Sequence, residues 1–98
     1  MARFDVYANP DGGYLLDVQA DLLDALNTRV VVPLIPLGAA PTPAKGLNPV
    51  FEIRSGPHVM ATQFLSAVPC SILGEPVANF LRSDTEITNA LDMLLTGI

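Results

Sequence analysis

A helical pattern occurs once in this chain, at its C-terminal end, and everything before it is cut into short strand-like runs. Ile87, Ala90, Leu91 and Leu94 recur at i, i+3, i+4 and i+7, which draws one apolar stripe along a helix. Ser83-Asp84-Thr85-Glu86 reads as a capping box, the Ser83 hydroxyl accepting from the Glu86 amide while the Glu86 carboxylate reaches back. Asp84 and Glu86 suit the positive end of the helix dipole, and Gly97 stands where a helix-ending C′ residue belongs. The pattern predicts a helix over residues 83–95. A chain with a single helix must build its core from strands and lay that helix on them.

The strand-like runs are legible from their alternation and punctuation. Phe4 to Tyr7 alternates at period two, Asn9-Pro10-Asp11-Gly12-Gly13 is a dense turn signal, and Tyr14 to Gln19 returns, giving a hairpin. Asp21-Leu22-Leu23-Asp24 breaks the strand pattern. Arg29 to Ile35 is β-branched and apolar throughout, a buried strand in which Pro33 requires an edge, a bulge or a bend. Pro36 to Pro49 holds four of the nine prolines and two glycines and reads as a long surface loop. Val50 to Arg54, the turn Ser55-Gly56-Pro57 and His58 to Thr62 form a second hairpin, and Val68 to Leu73 is a further strand stopped by Gly74. The fold class is α+β, mostly β: a small, strongly bent antiparallel sheet or barrel carrying a C-terminal helix, in one domain over residues 1–98.

Composition narrows the function. Half of the 98 residues are hydrophobic and 15% are charged, so a small chain is left with apolar surface that pairing with a second copy would cover. The net charge is −5, and the basic residues Arg3, Arg29, Lys45, Arg54 and Arg82 are scattered. Direct DNA or RNA binding, which depends on neutralising phosphates, is therefore disfavoured. Cys70 is alone, leaving neither an intrachain disulfide nor a cysteine metal site. No apolar run approaches the ~20 residues that span a bilayer. The N-terminal sequence runs directly into a strand pattern without a signal-peptide stretch, and the chain reads as cytoplasmic.

A catalytic constellation is not visible in these residues. Gly12-Gly13 lies in a hairpin turn rather than before a helix, so no phosphate loop is indicated. His58, the single histidine, reads as turn-flanking or partly exposed, and Cys70 as a small buried hydrophobe. Asp17, Asp21 and Asp24 match no calcium loop and read as solvated charges fringing a protein contact. Arg29 beside Thr28 is the one candidate for stabilising an anionic transition state in a small ribonuclease. No cofactor and no metal are expected.

More informative are the apolar residues in excess of one core. Leu95 flanks the helix stripe, Met93 lies off it and Thr96 points roughly opposite. Leu22 and Leu23 cannot both face one core if extended. Surplus apolar surface marks an interaction site, unless dimerisation covers it or Ile98 packs back on Met93.

The chain resembles the CcdB toxin family along nearly its whole length. The residues that carry the resemblance are Phe4 to Tyr7, Leu16 to Asp24, Arg29 to Leu34, Asn48-Pro49-Val50, Val68 to Glu75 and the helix closing on Gly97-Ile98. The resemblance implies a small SH3-like barrel with a C-terminal helix, shared with the MazF toxins, and a symmetric homodimer. It implies a poison that binds the DNA gyrase A subunit and traps the enzyme on cleaved DNA. A CcdA-like antitoxin releases gyrase, and the pair represses its own operon, touching DNA only through the antitoxin. Gyrase contacts are implied at Leu22, Leu23, Asp92, Leu95, Thr96, Gly97 and Ile98. Two positions depart from the family pattern: Thr96 stands where the family has tryptophan, and Leu95 where it has phenylalanine. A tryptophan anchor buries area and stacks on arginine, and losing it is worth two decades of affinity or about that. The readings in competition are thus a gyrase poison, a relative of weak or lost toxicity kept for antitoxin binding and operon control, and, remotely, a MazF-like ribonuclease.

Overall fold

The structure, a computed structural model, describes residues 1–97, so Ile98 and its expected role lie outside the described residues. Its strands are β1 (Asp5–Ala8), β2 (Tyr14–Asp17), β3 (Thr28–Pro36), β4 (Val50–Ile53), β5 (Gly56–Met60), β6 (Ser66–Pro69) and β7 (Ala78–Asn79), followed by helix α1 (Asp84–Thr96).

The β-branched run predicted as a buried strand is β3, the spine of the sheet. Along one side it pairs with β2, from Tyr14 opposite Leu34 to Asp17 opposite Val31. Along the other side it pairs first with β6 over Thr28–Val31 and then with β5 over Leu34–Pro36. Pro33 falls between those two partners. Its carbonyl accepts from the Ala61 amide at 2.9 Å, so its nitrogen faces the same gap, where β6 has ended and β5 has not begun. The missing N–H therefore removes no ladder bond from a central strand.

The remaining order is β4-β5-β3-β2-β1-β7, antiparallel throughout, and the sheet curls into a half-barrel with α1 laid against it. Among the described residues no ladder joins β4 to β7. Instead Phe51 of β4 packs on Phe80, just beyond β7, with ring centroids 5.0 Å apart. Val6, Leu16, Val32, Leu34 and Met60 meet Ile87, Ala90 and Leu91 of the helix in the main core. Tyr7, Leu15, Val31 and Leu73 form a smaller cluster on the opposite face. Because β3 is buried on both faces, its sequence runs apolar without alternation.

Three local expectations change. Ser83 does not cap α1 through its side chain: it closes a 3-10 turn, Leu81–Ser83, with φ −105° and ψ 19°, and its amide is bonded to the Phe80 carbonyl. That backbone is not the extended one that aims an N-cap hydroxyl at the helix. The expected strand Val68–Leu73 turns into a 3-10 helix at Cys70–Ile72, because Pro69 is opposite Thr28, where β3 starts and the ladder runs out. Phe4 precedes β1 with φ 70°, its amide on the Asp17 carbonyl and its carbonyl taken by Phe80. At the other end of the helix the expectation holds: Gly97 adopts φ 76° and donates to the carbonyls of Asp92 and Met93.

Candidate functional site

Between β2 and β3 the chain makes a short 3-10 turn, Asp21–Leu23, none of whose residues is buried. The turn closes on itself through the Leu23 amide to Ala20 and the Asp24 amide to Asp21. Its Asp21 carboxylate accepts from the Arg3 amide at 2.8 Å, which ties it to the N-terminal segment. Gln19, nearly buried, ties it to the sheet. The Gln19 Nε2 donates to the Leu23 carbonyl at 2.9 Å, and its Oε1 accepts from the Val30 amide at 3.0 Å.

The turn presents leucines to solvent. Leu22 is 91% exposed, Leu23 47% and Leu26 50%, and across from them Leu95 on α1 is 68% exposed. An open groove of about 470 Å³ runs between turn and helix, its apolar wall including Leu23, Leu26, Leu91 and Leu95, with Arg3 and Asp92 as its charged members. Arg3 is held there by its Nε on the Val18 carbonyl at 3.3 Å and by its guanidinium lying 4.6 Å over the Phe4 ring.

Of the sequence-predicted site residues, Leu23, Asp92 and Leu95 line one groove, and Leu22 stands exposed beside them. Thr96 is exposed, but its hydroxyl is turned back on the helix, donating to the Asp92 carbonyl at 2.7 Å. Gly97 is the left-handed stop that ends the helix at this surface. Met93 leaves the groove and reaches the loop over residues 37–49, its Cε against Gly46. Leu26, Arg3 and Gln19 were not anticipated. Gln19 carried a weak signal as a polar residue closing a mostly apolar strand run, whereas Leu26 lies in a stretch with no pattern.

The carboxylates correct another expectation. Asp17 is wholly buried rather than solvated, and its Oδ2 accepts from the Arg29 Nε at 2.7 Å, with Arg29 equally buried. The Arg29 Nη2 lies 2.7 Å from the same oxygen without hydrogen-bond alignment, and Nη1 has no partner among the described residues. Strand alternation causes this, since Asp17 and Arg29 point to the same face as Leu15 and Val31 and are enclosed with them. Burial opposes the guanidinium charge, but the Asp17 hydrogen bond and charge together hold the Arg29 pKa above its ordinary value. Nearby Tyr7 is pushed up to about 12, first by burial and then by the charges of Asp5 and Asp17. Arg29 is thus no surface cation facing a substrate.

His58 is buried, not partly exposed, its Nδ1 2.8 Å from the Gly56 carbonyl and its ring edge-on to Tyr14. Cys70 is half-buried rather than buried, with Sγ 3.6 Å from the Leu26 carbonyl. Among the described residues no helix is long and apolar enough to cross a membrane.

Fold and surface together define a small, mostly β domain that curls around one helix and shows a leucine-lined groove at that helix's end. The family model of the CcdB protein matches residues 3–97, and the chain belongs to the CcdB family. That membership supports a toxin of the ccd toxin–antitoxin system.

Proposed function

We propose that this chain is the toxin of a type II toxin–antitoxin module that binds the DNA gyrase A subunit and stabilises the cleaved gyrase–DNA complex. The observation that carries the reading is the convergence of Leu23, Asp92 and Leu95 on one open groove, beside exposed Leu22 and the Thr96-Gly97 helix end. These apolar side chains stand ready to be desolvated by a partner, which is how a few residues come to dominate an interface. The mechanism is occupancy: binding favours the cleaved state of gyrase, and the toxin needs no catalytic group or cofactor to do so. Two copies joined as a homodimer present two helix ends, and a CcdA-like antitoxin competes for the toxin, with DNA reached only through it. The site of action is the cytoplasm, and the module would serve plasmid maintenance or operon autoregulation.

A supercoiling assay with the host's own gyrase tests this reading. Linear, cleaved plasmid released on denaturing the enzyme is the expected product, together with capture of gyrase A by the toxin. Unimpeded supercoiling and no capture would overturn it.

One observation favours a weaker poison retained for antitoxin binding and operon control. The Thr96 hydroxyl is satisfied within its own helix, so this position offers a partner neither a stacking ring nor a free donor. Thr96→Trp is expected to raise inhibition by about a hundredfold. The ribonuclease alternative loses its candidate residue, because Arg29 is sealed against Asp17.

A further inference from the structure

The leucine turn has a support problem that its own residues do not solve. None of Asp21, Leu22 and Leu23 is buried, so no core contact fixes the turn, and a single 3-10 turn has poor hydrogen-bond geometry of its own. The Asp21 tie to the Arg3 amide is exposed, where water competes for both partners. The Gln19 tie is different. Gln19 is 6% exposed and is fixed at three points: its amide donates to Asp17 Oδ1 at 3.0 Å, Oε1 accepts from Val30 and Nε2 donates to Leu23.

Only one orientation of the carboxamide satisfies these groups, because the Val30 amide needs an acceptor and the Leu23 carbonyl needs a donor. Asp17 is locked in turn by Arg29. A buried polar chain, Arg29–Asp17–Gln19–Leu23, therefore runs from the far face of the sheet to the exposed turn.

We propose that Gln19 is the positioning residue for the binding surface: by holding the Leu23 carbonyl it sets the presented conformation of Leu22 and Leu23, and with it the affinity for the partner. This rests on the reading of that surface as the gyrase-binding one. Gln19 borders the floor of the groove but is only 6% exposed, with both ends of its carboxamide engaged, so its main lever on a partner is the turn it holds.

Two variants and one control separate positioning from simple stability. Gln19→Met keeps the length and removes both side-chain bonds; Gln19→Glu keeps an acceptor for Val30 and sets a carboxylate against the Leu23 carbonyl. Val32→Ala opens a cavity in the main core, away from the turn. The readouts are amide hydrogen exchange at Leu23, Asp24 and Leu26 in the free protein, and Kd for purified gyrase A subunit, both taken well below Tm. With either Gln19 variant, exchange at those three amides should quicken by about tenfold relative to the β3 amides other than Val30, which itself bonds Gln19, and Kd should weaken by about fivefold to tenfold. Val32→Ala should lower Tm while leaving both readouts at their original values. Unchanged exchange in the turn, or exchange quickened equally at the other β3 amides, would overturn the positioning role. A loosened turn with unaltered gyrase affinity would overturn its link to binding. If the unmodified protein fails to bind gyrase, the partner reading fails, and the exchange arm still decides whether Gln19 holds the turn. Should Gln19→Met not fold, Gln19→Glu supplies the same comparison.

Discussion

Two surface segments of this protein are moored by the same device and expose opposite chemistry. The turn over Asp21–Leu23 hangs from the buried carboxamide of Gln19; the proline-rich loop over residues 37–49 hangs from the buried carboxamide of Asn48. Asn48 donates to the Met60 carbonyl at 3.0 Å and to Gln63 at 2.8 Å, and accepts from the Ala44 amide at 3.0 Å, while the Thr62 hydroxyl takes the neighbouring Leu47 carbonyl. Both anchors satisfy backbone groups that a strand ladder does not reach, which is the obligation any irregular segment must meet near a core. The loop then spends its exposed positions largely on Pro, Gly, Ala, Thr and Lys, whereas the turn exposes Leu22, Leu23 and Leu26 opposite Leu95. An anchored segment is not thereby a site. What distinguishes the turn is apolar surface facing a second apolar element across a groove.

The most damaging substitution lies at the base of the turn's anchor. Asp17→Ala leaves the Arg29 guanidinium buried without its counter-charge, which is expected to cost about 3–5 kcal/mol. Against the 5–15 kcal/mol or so that stabilises small domains, that is a large share. Urea unfolding of Asp17→Ala should show it, and a midpoint shift of less than about 1 kcal/mol would mean the pair is not sealed from water. On the loop side, Asn48→Ala strands the Ala44 amide and leaves the Met60 carbonyl only a long contact with the Thr62 hydroxyl, and is expected to cost about 1–3 kcal/mol. Its hydrogen exchange should quicken at Ala44 and Asn48 but not at Leu23. If the turn loosens as well, the two moorings are not independent.

Substituting the surface itself sharpens the contrast. Leu95→Asp removes an exposed apolar side chain, so Tm should move little, within the ~0.5 kcal/mol usual for surface changes. Gyrase affinity should nonetheless fall by about tenfold or more. Leu37→Asp, on an equally apolar but isolated position of the loop, should alter neither. Equal loss of binding in both variants would remove the groove's claim to be special.

How far the amino-acid sequence carried these conclusions depended on the range of the interactions involved. The helix stripe, the Gly97 stop and both hairpins rest on neighbours in sequence, and they stand as expected; Pro33 instead sits in the central strand, at a gap between β6 and β5 that only the distant partners define. The capping box did not form, since Ser83 had already been drawn into the 3-10 turn behind Phe80, a contact no local pattern signals. Asp17 looked like a surface charge because its partner, Arg29, is twelve positions away on the adjacent strand. Gln19 acquires its role only when Val30, eleven positions on, and Leu23, four positions on, are brought to the two ends of its carboxamide. Leu22, Leu23 and Leu95 were legible as surplus apolar residues, whereas the groove between them is a product of packing.

The smallest effect at neutral pH concerns Tyr7, on the far side of the sheet beside Asp17. Its hydroxyl makes only a long contact with Asp5 Oδ2, at 3.4 Å, so Tyr7→Phe should change stability little at pH 8. The difference emerges in alkali. Unfolded, Tyr7 loses its proton near 10; folded, burial and the neighbouring carboxylates hold it to about 12. Between those values the unfolded chain releases a proton that the native state keeps. The stability contribution is therefore complete below pH 10 and is lost progressively as the pH climbs toward 12. Tyr7→Phe lacks this loss. Its urea midpoint should stay close to that of the unmodified protein at pH 8 and rise above it at pH 11. Because the rest of the chain is common to both proteins, only the difference between the two midpoints is diagnostic. An identical difference at both pH values would mean that the Tyr7 hydroxyl reaches solvent, and with it that the face carrying Asp17 and Arg29 is open rather than sealed.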